Sequence, residues 1–240
     1  MLTRLFAGFF AATLVAGAAL AGPPNGSVIL VGSDDGPSGR PFRQVFGVQN
    51  ADRPWSLEVL APDALRFEIA PGDRWGRDAA GPERSEIAGS VIYPPGQEIR
   101  VGYDITIEEG AANTARWLVV GQFHADDKRT SPPLAFEMRG EKLAVMIRYR
   151  RADGGIESRY VHQDEQELER GRSYSIRVET RFSMADGALK VWRDGEQIVD
   201  YAGPLGYDNG VYWKQGIYRS ASAEVIAVTY RNLVIETGEP

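Results

Sequence analysis

Seven polar side chains fall into three clusters whose chemistry suits moving a proton beside an anion: Arg84 with Glu86, Gln122 with His124, and Tyr212 with Lys214 and Tyr218. Within each cluster the spacing is two residues or a multiple of two, the repeat that sets side chains on one face of a β-strand. An imidazole with an ordinary pKa of about 6.5 accepts a proton near neutrality, which makes His124 a candidate base. A phenol can donate one, and a cation beside it, Lys214 or Arg84, would bring the Tyr218 pKa down from about 10 toward the working range. An amide and a guanidinium fork, Gln122 and Arg84, can hold a carboxylate while negative charge develops next to it.

Strands are what this spacing requires. Over residues 116–124, period two gathers Arg116, Leu118, Val120, Gln122 and His124 on one face and Trp117, Val119, Gly121 and Phe123 on the other. Over 212–219 it aligns Tyr212, Lys214, Gly216 and Tyr218 opposite Trp213, Gln215, Ile217 and Arg219, and over 83–87 it pairs Arg84 with Glu86 against Ser85 and Ile87. A solvated β face usually carries smaller or more scattered polar groups, so the three strands point to one shared cleft. Gln122, His124, Lys214 and Tyr218 are its expected catalytic groups, with Arg84, Glu86, Arg116 and Tyr212 expected to bind the substrate.

Turn signals punctuate the rest of the chain, among them Pro71-Gly72-Asp73, Pro94-Pro95-Gly96, Asp153-Gly154-Gly155 and Asn209-Gly210. Between them run short segments of alternating polarity. Val101, Tyr103, Ile105 and Ile107 share one face, as do Leu143, Val145, Ile147 and Tyr149, and Tyr174, Ile176, Val178, Thr180 and Phe182. Such strands bury their apolar sets between two sheets. The expected fold is all-β, a jelly roll: a concanavalin-like sandwich of two antiparallel sheets with a concave cleft. Residues 164–172 alone read as a helical turn or polar loop. Residues 22–41, rich in Gly, Pro, Ser and Asp, read as a loosely held N-terminal stretch.

At 240 residues, 43% of them hydrophobic, the chain can bury one sizeable core. Met1-Leu2-Thr3-Arg4 leads into an uncharged run that closes on Ala19-Leu20-Ala21, the pattern of an export signal cleaved after Ala21. The run is too short and too rich in Ala and Gly for a membrane anchor. The expected organisation is a signal peptide over 1–21 and one jelly-roll domain over 22–240, a secreted or periplasmic monomer with no membrane span. Removing the leader takes Arg4 from 27 bases and leaves 33 acids, a formal charge of −7. That argues against general nucleic-acid binding, although cations focused in a cleft can still hold a polyanion. With no cysteine and two histidines a zinc site is unfavourable. No metal or cofactor is expected in the chemistry. The acid pairs Asp34-Asp35, Glu108-Glu109 and Asp126-Asp127 read as solvated loops whose hard oxygen ligands leave room for a structural calcium ion. His162, in a polar stretch, reads as exposed.

Three segments carry a closer likeness. Glu83-Arg84-Ser85-Glu86-Ile87, Gln122-Phe123-His124 and Tyr212-Trp213-Lys214-Gln215-Gly216-Ile217-Tyr218-Arg219 resemble, in type and order, the signature strands of jelly-roll polysaccharide lyases. That group includes alginate lyases, glucuronan lyases and the heparin lyase I family. The Lys-x-x-x-Tyr spacing of Lys214 and Tyr218 is similar to the catalytic pair of the heparin lyase I and glucuronan lyase branch, which residues 66–75 and 131–136 also resemble. The resemblance implies β-elimination: the C5 proton of a uronate is removed while its carboxylate is neutralised, and an acid protonates the departing oxygen at C4. It implies that the tyrosine is the acid and, in some members, also the base. Where the C5 hydrogen and C4 oxygen share a side, as in glucuronate and mannuronate, one phenol can serve both steps, with His124 assisting neutralisation. On opposite sides, as in guluronate and iduronate, two groups are needed, and the residues leave both courses open. The acidic composition and the lack of a dense basic cluster favour a non-sulfated glucuronan- or alginate-type polymer over heparin.

Two other functions fit a jelly roll. A glycoside hydrolase needs two carboxylates across the scissile bond, and residues 102–108, the best strand for them, begin on glycine where a leading glutamate would stand. A non-catalytic carbohydrate-binding domain would share the cleft but would not need His124 and Tyr218 together.

Overall fold

The computed structural model describes residues 28–31, 44–127 and 129–238. Fifteen strands occur among them: β1 (Val28–Val31), β2 (Gln44–Asn50), β3 (Leu57–Ala61), β4 (Ala64–Ile69), β5 (Glu83–Gly89), β6 (Glu98–Ile107), β7 (Leu118–Ala125), β8 (Leu134–Arg139), β9 (Lys142–Arg150), β10 (Ile156–Gln163), β11 (Ser173–Arg181), β12 (Ala188–Arg193), β13 (Glu196–Ala202), β14 (Val211–Arg219) and β15 (Ile226–Thr237). They form two antiparallel sheets, one ordered β1-β2-β5-β14-β7-β8-β9-β10 and the other β13-β12-β11-β6-β15-β4-β3. This is the expected all-β sandwich. Of residues 22–41 only Val28–Val31 is described, paired along β2; the rest of that stretch and the leader expected over 1–21 lie outside the described residues. Among the described residues no helix is long and apolar enough to cross a membrane.

Period two builds the core. Ile99, Val101, Tyr103, Ile105 and Ile107 of β6 are buried, as are Tyr174, Ile176 and Val178 of β11, and they meet Phe123, Phe136, Trp213 and Ile217 from the other sheet. Trp213 bridges the layers, its ring 5.8 Å from Tyr103 and 5.0 Å from Phe123. Replacing a ring of that size by Ala costs roughly 3–5 kcal/mol in a well-packed core. Residues 164–172 form a turn-rich loop, not a helix. In it Asp164 pairs with Arg193 and with His162 Nε2 at 2.8 Å, so His162 is partnered and half-buried where the sequence suggested simple exposure.

Two irregularities shape the sheet that carries the three clusters. Against β7, Lys214 faces Gln122 and Tyr218 faces Val119, so residues 215–217 of β14 oppose only Val120 and Gly121. Gly216 absorbs the difference at φ +133°. A Cβ there would lie 2.3 Å from Ser85 O and 2.7 Å from the Glu86 Cα, a place only glycine fits. Strand β7 carries its own extra residue against β8, with Val119 opposite Glu137 and Gly121 opposite Phe136. The alternation therefore slips inside β7. Leu118 and Val120 point into the core with Phe123, whereas Val119 clusters with Ala135, Met146, Trp117 and Tyr218 on the outer face. The expectation that Arg116, Leu118 and Val120 share a face with Gln122 and His124 is thus corrected: Trp117 and Val119 take those places.

Candidate active site

On the outer face of the eight-stranded sheet, β5, β14 and β7 lie side by side, with Arg84 opposite Tyr218 and Lys214 opposite both Ala88 and Gln122. Their polar groups converge on Glu86. Its carboxylate accepts from Lys214 Nζ at 2.6 Å, from Gln122 Nε2 at 2.6 Å and from the Arg84 guanidinium. Asp78 grips Arg84 from the other side, Nε to Oδ2 at 2.6 Å and Nη2 to Oδ1 at 3.1 Å. Burial works against the Glu86 charge, but Lys214 and Arg84 outweigh it and hold the carboxyl below its usual range. For Lys214 burial prevails over the attraction of Glu86, and its pKa lies below the usual lysine value. Arg84 is raised: burial opposes its charge, and Glu86 and Asp78 overcome that. Glu86 was expected to touch substrate, yet its side chain is 0% exposed. Its carboxylate is taken up by those three donors and orders them.

His124 Nδ1 lies 2.9 Å from Ala125 O. A carbonyl only accepts, so Nδ1 carries the ring proton and Nε2 the lone pair. Burial pushes the His124 pKa down, the Ala125 bond opposing and Lys214 adding to the fall, so the ring is neutral at pH 7. Tyr212 lies beside it, ring centroids 5.5 Å apart. Burial and the nearby Glu86 carboxylate push the Tyr212 phenol up to about 12. Tyr218 leans back along β14, bringing its ring centroid to 6.0 Å from Lys214 Nζ, with the Arg84 guanidinium 3.7 Å from it and Trp117 at 4.7 Å. The expectation that these cations lower its pKa is overturned. Arg84 does pull downward, but burial prevails, and Asp78 and Glu86 push the same way as burial. Tyr218 is a protonated phenol.

A cleft of about 640 Å³ opens over this face, with Arg84, His124, Tyr212 and Lys214 in its lining. Gln49 of β2, Trp75, Arg77 and Asp78 of the loop before β5, and Ile92 and Asp126 complete much of the wall. None of these stood among the expected catalytic or substrate-binding residues, because residues on turns or single positions of a strand show no period; Trp75 appeared only within a lyase-like segment and Asp126 only within an acid pair. Arg116 is not brought in. It is exposed ahead of β7 and its backbone N–H donates to Ser220 Oγ.

A family model described as polysaccharide lyase matches residues 59–233, the span that holds every one of the three clusters. The chain belongs to the polysaccharide lyase family. Solved lyases share its sandwich. An endo-β-1,4-glucuronan lyase from the fungus Trichoderma reesei is similar at a TM-score of 0.62 and 15% identity, over 80% of this chain and 87% of that one. An alginate lyase of polysaccharide lyase family 7 gives 0.55 and 18%, over 76% and 82%. An alginate lyase in complex with dimannuronate gives 0.52 and 12%, over 74% and 75%. At such identities the likeness establishes the jelly-roll fold. No curated protein matches the sequence significantly.

The lyase cleft also disposes of the hydrolase strand. Residues 102–107 belong to β6, in the opposite sheet, where Asp104 accepts from Asn232 and Glu108, just beyond, accepts from Arg66 and Thr229. Among the described residues no three His, Cys, Asp or Glu side chains assemble as a metal-binding group. Asp127 instead caps a turn, accepting from the backbone of Arg129 and Thr130. Asp34 and Asp35 lie outside the described residues.

Proposed function

We propose that this polysaccharide lyase cleaves a non-sulfated uronan of the alginate or glucuronan type by β-elimination, with His124 taking the C5 proton and Tyr218 protonating the departing O4. The observation that carries this reading is that one sheet face holds both an imidazole protonated at Nδ1 and a protonated phenol, with Arg84 and Lys214 ordered there by a buried carboxylate. Removing a C5 proton places negative charge on the uronate carboxylate. Lys214, the Arg84 guanidinium and the second N–H of the Gln122 amide supply fixed positive ends for that charge, and fixed dipoles need no reorganisation as it develops. Neutral His124 can accept at once, and Tyr218 can give its proton to O4 so that no free alkoxide leaves. Export belongs to the same proposal, supported by the leader pattern; N-terminal sequencing of secreted protein should begin at Gly22.

The test is to incubate the mature protein with glucuronan, polymannuronate, polyguluronate, hyaluronan and heparin and follow the ultraviolet absorbance of unsaturated uronate. Absorbing product from one of the first three is expected, and none from any polymer across a wide pH range would contradict the proposal. His124→Ala separates the two courses. It abolishes turnover if His124 is the base, whereas retained turnover on glucuronan or polymannuronate would show Tyr218 performing both steps.

A further inference from the structure

Three Arg or Lys side chains line the cleft: Arg77, Arg84 and Lys214. Two of them are matched, Arg84 by Asp78 and Glu86, and Lys214 by Glu86. Arg77 is exposed, and among the described residues no carboxylate lies within ion-pair reach of it; its guanidinium sits 5.6 Å from the Trp75 ring centroid. The backbone that presents it is pinned. Asp78 N donates to Trp75 O at 2.9 Å, closing a turn with Arg77 at its third position, and Arg74 Nη1 donates to Asp78 O at 2.8 Å. The Asp78 side chain is clamped to Arg84, whose own N–H donates to Asp73 O at 2.9 Å.

We propose that Arg77, with Trp75 beside it, binds the carboxylate of a uronate residue neighbouring the one that reacts, and is a specificity-determining contact of this lyase. The inference rests on the uronan reading above. Arg84 and Lys214 are held by Glu86 and Asp78 and serve the reacting uronate. A polyuronate brings a negative charge on every sugar, and Arg77, with no carboxylate partner among the described residues, is the cation left to meet the next one. A guanidinium fork matches a carboxylate bidentately. The Trp75 ring, 5.6 Å from the guanidinium, holds the Arg77 side chain near it, so less freedom is lost on binding.

Kinetics of Arg77→Ala and Arg77→Lys decide the matter, on the uronan the wild type cleaves, at low and high salt, and on the same polymer with part of its carboxyls methyl-esterified. Arg77→Ala should raise KM about tenfold, the size expected for losing one charge-assisted pair, while kcat stays within about twofold. The same variant should flatten the salt dependence of KM and narrow the preference for free acid over methyl ester. Arg77→Lys, which keeps the charge and loses the fork, should recover part of the KM. An unchanged KM and unchanged ester preference would overturn the inference, as would a fall in kcat alone. Should the wild type cleave none of the polymers, the uronan reading fails separately, and calorimetric binding of uronate oligomers to wild type and Arg77→Ala still reads Arg77 directly: equal affinities sink it.

Discussion

Glu86 holds three donors with one buried carboxylate, so the order of the site depends on it. In Glu86→Gln the shape is kept and the charge removed. Lys214, 3% exposed, loses its counter-charge, and breaking a buried pair of this kind costs roughly 3 kcal/mol. Urea denaturation should show that loss, and kcat should fall on the order of a hundredfold because Gln122 and Lys214 are no longer aimed. Wild-type kcat in a correctly folded Glu86→Gln would remove the positioning role. The pH profile follows from the other two groups. His124 must be neutral to act, and its pKa lies below the ordinary 6.5, so kcat/KM should hold at pH 6.5 and fall only as pH drops further. Tyr218 must be protonated, and its pKa lies above 10, so it gives no alkaline limb below pH 10; an earlier limb belongs to Lys214, whose pKa lies below the usual lysine value. An acid limb above pH 6.5 would contradict the His124 assignment. That Arg84, Glu86, Gln122 and Lys214 would gather on one face, with His124 and Tyr218 beside them, was legible in the sequence. The direction of the Tyr218 shift was not, since it depends on Asp78 and Glu86 already holding Arg84 and on burial under Trp117.

The strands show where pattern reading succeeds and where it fails. Strand β14 keeps its parity, because the three residues between Lys214 and Tyr218 leave both on one face, and β5 is regular, so Arg84 and Glu86 sit as their spacing implied. In β7 one extra residue shifts the phase, which placed Arg116 and Val120 on the wrong face; a bulge of that kind leaves no mark in apolar periodicity. Gly216 is the visible trace of the matching irregularity in β14. Gly216→Ala should destabilise by about 3 kcal/mol or more, read from the urea midpoint, since the new Cβ meets backbone at a positive φ. A cost under about 1 kcal/mol would mean the β5–β14 contact is looser than described. At the end of β14, Arg219 is fully buried between Glu83 and Glu224. Burial opposes the Glu224 charge, but bonds from Ser222 and Thr114 take its pKa from 4.5 to about 2. A depressed carboxyl stabilises above its unfolded pKa and loses that contribution as pH falls through the folded one. The melting-temperature gap between wild type and Glu224→Gln should therefore be full at pH 7 and shrink from pH 4.5 toward about 2; a gap independent of pH would exclude this role.

Across the whole molecule the two sheets divide the labour. One face of the eight-stranded sheet carries the cleft, and the seven-stranded sheet backs it through Tyr103, Phe67 and Tyr230, whose phenol donates to Gly216 O at 3.0 Å beneath the bulge. The two-sheet architecture was legible from turn signals and alternation alone, whereas the wall built from Gln49, Trp75 and Arg77 required the chain to be folded. A chain of formal charge −6 can still take a polyanion where cations are focused in a cleft, and Arg77, Arg84 and Lys214 all line this one. On the proposed reading this surface eliminates and does not hydrolyse. The most direct test counts two products of one digest, new reducing ends and ultraviolet-absorbing unsaturated uronate. One absorbing double bond for each new reducing end, abolished together by Tyr218→Phe, is the predicted result; reducing ends formed without absorbance would contradict it.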